Sequence, residues 1–248
     1  MIGGQKAGVD AQEYALMDAA EDGMWWYRAL HARILAELPE HGRLLDAGCG
    51  TGGFLRRLRE ARPGLELSGI EYRPEAARRA AEKSGAAVIA GSINALPHPP
   101  RSFDVVVSLD VLCHAAVEEA MALGELRRVL RPGGLLVLNL PALPWLTSAH
   151  DRRVHTARRY TRAGIAALLA RTGFVDIRAR YWNSLLLPLM VLQRKLLARR
   201  ADAPSDVMRF PPWLDSLLFA ATRLESWLER RGIVFPAGGS VLATARRP

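Results

Sequence analysis

The chain has 248 residues, half of them hydrophobic and 24% charged. That is enough apolar material for the core of one α/β unit and excludes wholesale disorder. Its longest apolar run, residues 185–192, is broken by Pro188 and falls far short of the roughly 20 residues of a bilayer span. The first residues carry no basic-then-apolar signal pattern, and the two cysteines, Cys49 and Cys113, are too few for a disulfide scaffold, so a cytoplasmic chain with reduced thiols is expected. The net charge of +9 is unevenly placed: residues 1–149 hold 16 basic and 18 acidic side chains, whereas residues 150–248 hold 18 and 7. The basic C-terminal part is therefore expected to face an anionic partner, either a membrane surface, a phosphate or a nucleic acid.

In chain order, residues 14–38 read as an amphipathic helix or helix pair, with Leu16, Trp25, Trp26, Leu30, Ile34 and Leu38 on the apolar side and Pro39 as the stop. A first strand follows at 43–47, then a glycine-rich turn at 48–53 and a helix ending before Pro63-Gly64. A second strand is predicted at 65–70, a helix at 74–84 opened by Pro74 and closed by Gly85, and a third strand at 86–90. The continuous apolar run at 103–109 marks a strand buried on both faces.

A helix is predicted at 115–130, a turn at the Arg-Pro-Gly-Gly run 131–134, and a fifth strand at 135–140. Thr161 is placed to cap a helix running to Arg171, and the last two strands fall at 174–182 and 240–245. Alternating strands and helices predict a parallel sheet covered on both faces. Two stretches exceed that repeat: the polar, basic connection 141–160, and residues 183–239, which hold two predicted helices at 184–199 and 213–230. The expected organisation is an N-terminal helical lid (1–40), a nucleotide-binding core (41–182), a helical insertion (183–239) and a final strand (240–248).

The chemistry concentrates in the glycine turn. Glycines at 48, 50 and 52 or 53 let the backbone bend between strand and helix, so that a ligand approaches the main chain without meeting a Cβ. Gly48, Gly50 and Gly53 also match the dinucleotide fingerprint, which alone is a weak signal. Asp46, two residues before the first glycine, separates the options: a carboxylate there repels a pyrophosphate and favours a cationic group. Glu71, ending the second strand, is placed to accept hydrogen bonds from both hydroxyls of a ribose.

Together, Asp-Ala-Gly-Cys-Gly-Thr-Gly at 46–52, Gly-Ile-Glu at 69–71, Leu-Pro at 96–97, Ser-Phe-Asp-Val at 102–105 and Leu-Arg-Pro-Gly-Gly at 130–134 resemble the class I, Rossmann-like S-adenosylmethionine-dependent methyltransferases. The resemblance is close over residues 43–140. It implies a seven-stranded sheet whose last strand runs antiparallel, S-adenosylmethionine as cofactor and S-adenosylhomocysteine as product. It assigns Asp46, Gly48, Cys49, Gly50, Glu71, Tyr72, Ser92, Ile93 and Leu109 to the cofactor, with Ser92 standing where many members carry Asp. Leu109 and Asp110 would line its methionine end.

The run 148–161 after the fifth strand resembles a segment of bacterial methyltransferases linked to glycan, lipid and secondary-metabolite pathways. His150 and His155 are candidate bases, with Asp151 to orient one of them, and Arg158, Arg159 and Tyr160 could bind an anionic acceptor. His114 and Trp26 are further acceptor-side candidates; Trp25, Trp26 and Tyr27 could lid the cofactor. The histidines and cysteines lack ligand spacing, so no metal is expected. The apolar-then-basic stretch beginning at Ser184 suits a membrane-surface helix, a pocket wall, a cap or a dimer contact. The expected activity is methylation of a small-molecule, lipid or lipid-linked glycan acceptor, with oxygen favoured and the protein a monomer or homodimer. Alternatives are a nucleic-acid methyltransferase and a non-catalytic scaffold of the same fold. A nicotinamide oxidoreductase is disfavoured by Asp46 and by the missing Tyr-x-x-x-Lys pair.

Overall fold

The computed structural model describes residues 11–147, 151, 155–194 and 210–248. Two helices come first, α1 (Ala11–Ala20) and α2 (Trp25–Leu35), followed by β1 (Gly42–Ala47), α3 (Gly53–Ala61), β2 (Leu65–Glu71), α4 (Pro74–Ser84), β3 (Ala87–Ala90) and β4 (Phe103–Leu109). Then come α5 (Glu119–Val129), β5 (Leu130–Pro141), α6 (Arg162–Arg171), β6 (Val175–Trp182), α7 (Leu187–Leu192), α8 (Pro212–Arg230) and β7 (Ser240–Arg246). The strands form one sheet in the order β3-β2-β1-β4-β5-β7-β6. β7 runs antiparallel to both β5 and β6, and the pairings among β1 to β5 are parallel.

Strand geometry explains the continuous apolar runs. Successive side chains point to opposite faces, so Leu45, Val106, Leu136 and Leu138 join a core with α5 and α6, carrying Leu123, Leu126, Ile165 and Leu169. Leu44, Val105, Val107 and Val137 face the other way, against Ile34 of α2, Leu55 and Leu58 of α3, and Ala80 of α4. Strand order reverses between β1 and β4, the switch point beside which open α/β sheets bind ligands.

The caps follow local chemistry. The Thr161 hydroxyl accepts from the Gly164 N–H at 3.0 Å, opening α6. Gly85 closes α4 at φ +64°, a left-handed angle that suits glycine. Two of the shifts from the predicted boundaries have a local cause. α5 begins at Glu119 instead of 115, because the Asn94 side chain holds the preceding stretch, donating to Ala116 O and accepting from Glu118 N, both at 3.0 Å. The 131–134 turn is a bulge within β5: register jumps from Phe103↔Leu130 to Val105↔Leu135, and Gly133 N–H donates to Arg247 O at 2.8 Å. Of the helix predicted over 184–199, the described part is α7; residues 195–209 lie outside the described residues.

Candidate active site

At the switch point the glycine turn leaves β1 with Gly48 at φ +96° and Gly50 at φ +56°. A Cβ on Gly48 would lie 2.2 Å from Val111 Cγ2, and one on Gly50 would lie 2.8 Å from Met17 Cε of α1. At Gly48 backbone angle and space both require glycine; at Gly50 the left-handed angle favours it, while the Met17 side-chain end could move aside. The turn is held to β2 by the Gly48 and Cys49 N–H groups donating to Ile70 O, at 2.8 and 3.0 Å.

Two carboxylates flank this turn. Asp46 is 2% exposed, and its Oδ1 is buried with no hydrogen-bond partner. Burial, then the neighbouring charges of Glu71 and Glu21, push its pKa up to about 8. Glu71 is also buried: its Oε1 accepts from Tyr14 Oη (2.8 Å) and Arg73 N (3.1 Å), and its Oε2 from Gly50 N (3.0 Å).

Asp18 of α1 and Glu21 just past its end are paired from below. Lys83 of α4, its side chain buried, donates to Asp18 at 2.7 Å and Glu21 at 2.6 Å, and Thr51 Oγ1 donates to Glu21 at 2.6 Å.

A cavity of about 450 Å³ opens above these groups. Asp46, Gly48, Cys49, Gly50, Glu71, Tyr72, Ser92, Ile93 and Leu109 all line it. Tyr72 sits at 60% exposure, and the Ser92 hydroxyl accepts from Asn94 N at 3.2 Å. The N-terminal segment contributes Tyr14, Met24, Trp25, Trp26 and Tyr27, and the late segment contributes Met190, Arg194 and Phe210.

On the acceptor side, His114, Asp151, His155 and Arg159 also line the cavity, whereas His150 lies outside the described residues. Asp151 Oδ1 accepts from Arg159 at 2.6 Å, and Arg194 lies 3.7 Å from its other oxygen. The loop therefore builds a carboxylate–guanidinium cluster around Asp151. Arg158 and Tyr160 are not cavity residues. Arg158 donates to the carbonyls of His114 (2.9 Å) and Leu112 (3.4 Å), and the buried Tyr160 hydroxyl donates to Glu119 at 2.7 Å, with Leu112 O 3.1 Å away. Both tie the loop to the segment between β4 and α5.

Tyr14 and His31, which the sequence did not single out, also line the cavity, as does Asp110, expected at the methionine end. His31 packs against Phe54 with ring centroids 5.0 Å apart, and burial, then Arg57, push its pKa down to about 4. Asp110 sits at φ +55° with Asn139 Nδ2 donating to Oδ2 at 2.8 Å; burial raises its pKa to about 7 against that hydrogen bond. Asn139 Oδ1 in turn accepts from Trp182 Nε1 at 2.8 Å, and Trp182 stacks on Trp26 with centroids 6.1 Å apart. The position of Asp110 at the end of β4 was a readable signal; Tyr14, 57 residues from Glu71, gave none.

These residues fit S-adenosylmethionine: an unpartnered buried carboxylate oxygen for its cationic methionine end, a glycine turn with no room for a Cβ, and a strand-end carboxylate for its ribose. The comparisons agree. A family model described as "Methyltransferase domain" matches residues 45–138. The demethylmenaquinone methyltransferase of Deinococcus radiodurans is 37% identical over 118 residues, 46% of this chain and 48% of that protein. The 2-methyl-6-phytyl-1,4-hydroquinone methyltransferase of Synechocystis is 29% identical over 212 residues, 79% of this chain and 59% of that protein. The chain thus spans about half to three fifths of these relatives' length. A Thermotoga maritima structure, described as a SAM-dependent methyltransferase and possible histamine N-methyltransferase, superposes with a TM-score of 0.62 at 17% identity, covering 96% of this chain and 95% of that one; at that identity it speaks for the fold. Sheet order, glycine turn and matched segment agree: residues 45–138 carry an S-adenosylmethionine-dependent methyltransferase domain, and the chain has the class I methyltransferase fold.

Proposed function

We propose that this chain methylates a small lipid-like acceptor, at oxygen, using S-adenosylmethionine. The observation that carries the cofactor half is the buried, unpartnered Oδ1 of Asp46 beside the glycine turn. An isolated carboxylate in that position is costly unless a cationic group meets it. The bound cofactor supplies the activated methyl group. In this reading Asp46 holds its ammonium, Glu71 its ribose hydroxyls, Ser92 and Ile93 its adenine edge, and Tyr72 the mouth of the site. Trp25, Trp26 and Leu30 exclude water over the transfer, whose rate comes chiefly from orientation.

Support for a lipid-like acceptor is twofold. Met24, Trp25, Leu30, Met190 and Phe210 give the cavity an apolar wall, and the relatives' names place quinones and hydroquinones among the family's acceptors. For oxygen as the acceptor atom, His155 is the base we favour among the candidates first read from the sequence, because it lines the cavity; Arg159 presents the charge that would steady an anionic acceptor group.

The test is label transfer. Purified protein is incubated with methyl-labelled S-adenosylmethionine and phenolic and isoprenoid lipids, and the organic phase is counted. Label in that phase, lost in Asp46→Asn, is the expected result. Label in added RNA, or tight S-adenosylhomocysteine binding with no transfer to any acceptor, would overturn the reading.

A further inference from the structure

Helix α8 is built inside out. Its three acidic residues, Asp215, Glu225 and Glu229, all turn toward the protein. Asp215 accepts from Trp25 N at 2.7 Å and Arg28 at 3.0 Å. Glu225, fully buried, accepts from Arg33 at 2.9 Å and from the N–H groups of Asn183, Ser184 and Leu185 at 2.6–2.9 Å. Glu229 pairs with Arg33 at 2.6 Å.

The opposite face carries Trp213, Leu217, Leu224 and Trp227 at helical spacing, from 69% to 40% exposed. Arg223 and Arg230 lie among them, exposed, and the Arg231 guanidinium stacks over the Trp227 ring at 3.6 Å from its centroid. Just past the helix, Ile233 and Val234 extend the apolar surface. Every acid on the helix is spent inward, so the outward face is apolar and purely cationic.

We infer that the outward face of α8 docks the protein on an anionic lipid bilayer. Indole rings set among arginines suit the headgroup boundary, where apolar side chains enter the acyl region and guanidinium groups stay with phosphates. A second copy of the chain fits the same face poorly, because a two-fold contact would bring one arginine rim against another. The helix also adjoins the cavity: Phe210, three residues before Trp213, is one of its walls. Docking would therefore bring the cavity rim to the membrane, from which a lipophilic acceptor could enter. No helix among the described residues is long and apolar enough to cross a membrane, so the contact is with the surface.

Vesicle co-sedimentation tests this in full-length protein. Binding is expected to vesicles of phosphatidylcholine mixed with phosphatidylglycerol, to weaken in high salt, and to be slight on phosphatidylcholine alone. Arg223→Gln with Arg230→Gln should lower the partition about thirtyfold, and Trp213→Ser with Trp227→Ser about tenfold or more. These positions are exposed, so melting curves should match the wild type. Failure to bind anionic vesicles, or equal binding to both vesicle types, would overturn the proposal. So would a dimer, seen by light scattering, that the same substitutions dissociate, which would assign the face to a second copy. Vesicle binding is read without turnover, so its failure leaves the methyl-transfer reading standing, and the reverse holds equally.

Discussion

The Tyr14 hydroxyl donates to Glu71 Oε1 at 2.8 Å, across 57 residues of chain. Arg73 N–H takes the second lone pair of that oxygen and Gly50 N–H one lone pair of Oε2. A carboxylate offers about four acceptor positions, so Glu71 cannot also receive two ribose hydroxyls until one donor leaves. Tyr14, the one side chain among these donors, is the group able to move.

Tyr14→Phe should therefore tighten cofactor binding. Removing one competing hydrogen bond to a charged group is worth about 1.5 kcal/mol, or about tenfold in affinity. Calorimetric titration with S-adenosylhomocysteine measures it. Weaker binding would instead make Tyr14 a ligand of the bound state.

Asp46 ties cofactor affinity to pH. With its pKa pushed up to about 8, it is mostly protonated at pH 7 in the ligand-free protein, and an ammonium group favours its ionised form. Affinity should rise up to about tenfold per pH unit below pH 8 and level off above it. Proton release on binding, read from heats in buffers of different ionisation enthalpy, should accompany it, and Asp46→Asn should abolish both. For stability the sign is opposite. The folded pKa lies above the ordinary value of 3.8, so this contribution is fully present below pH 4 and is lost as pH rises through 8. Asp110, raised to about 7, acts in the same direction.

Glu225 should matter for folding. It is buried and receives Arg33 together with three backbone N–H groups. Glu225→Ala should destabilise the protein by about 3–5 kcal/mol, the range for removing one partner of a buried ion pair, as read from denaturant melts. A loss below about 1 kcal/mol, as for a surface pair, would show that Arg33 and the freed N–H groups find other partners.

Asp110→Asn separates binding from turnover. The group ends β4 on the cavity wall, held by Asn139. Its substitution should lower turnover by about a hundredfold, the lower end for losing a positioned acid or base, while leaving S-adenosylhomocysteine affinity within about twofold. Equal loss of both would place Asp110 on the cofactor instead.

The sequence by itself determined the sheet and the cofactor cradle. Period-two burial on two covered faces requires the apolar runs of β1, β4 and β5, and the strand–glycine–helix turn with Asp46 and Glu71 is a local arrangement set by residues close in the chain or at strand ends. The loop from 148 to 161 was legible as a polar run with candidate bases and anion-binding side chains, but not in its contacts. Which of its charges point inward depends on partners such as Glu119 and the carbonyls of Leu112 and His114, more than 40 residues away. The same holds for α8, whose pattern is amphipathic in either orientation. Only the tertiary structure, by placing Arg28, Arg33 and the N–H groups of Asn183, Ser184 and Leu185 against its acids, decided that the acidic face turns in and the tryptophans turn out. Hydrophobic periodicity identifies the faces of a helix, but the distribution of buried counter-charges selects which one the protein covers.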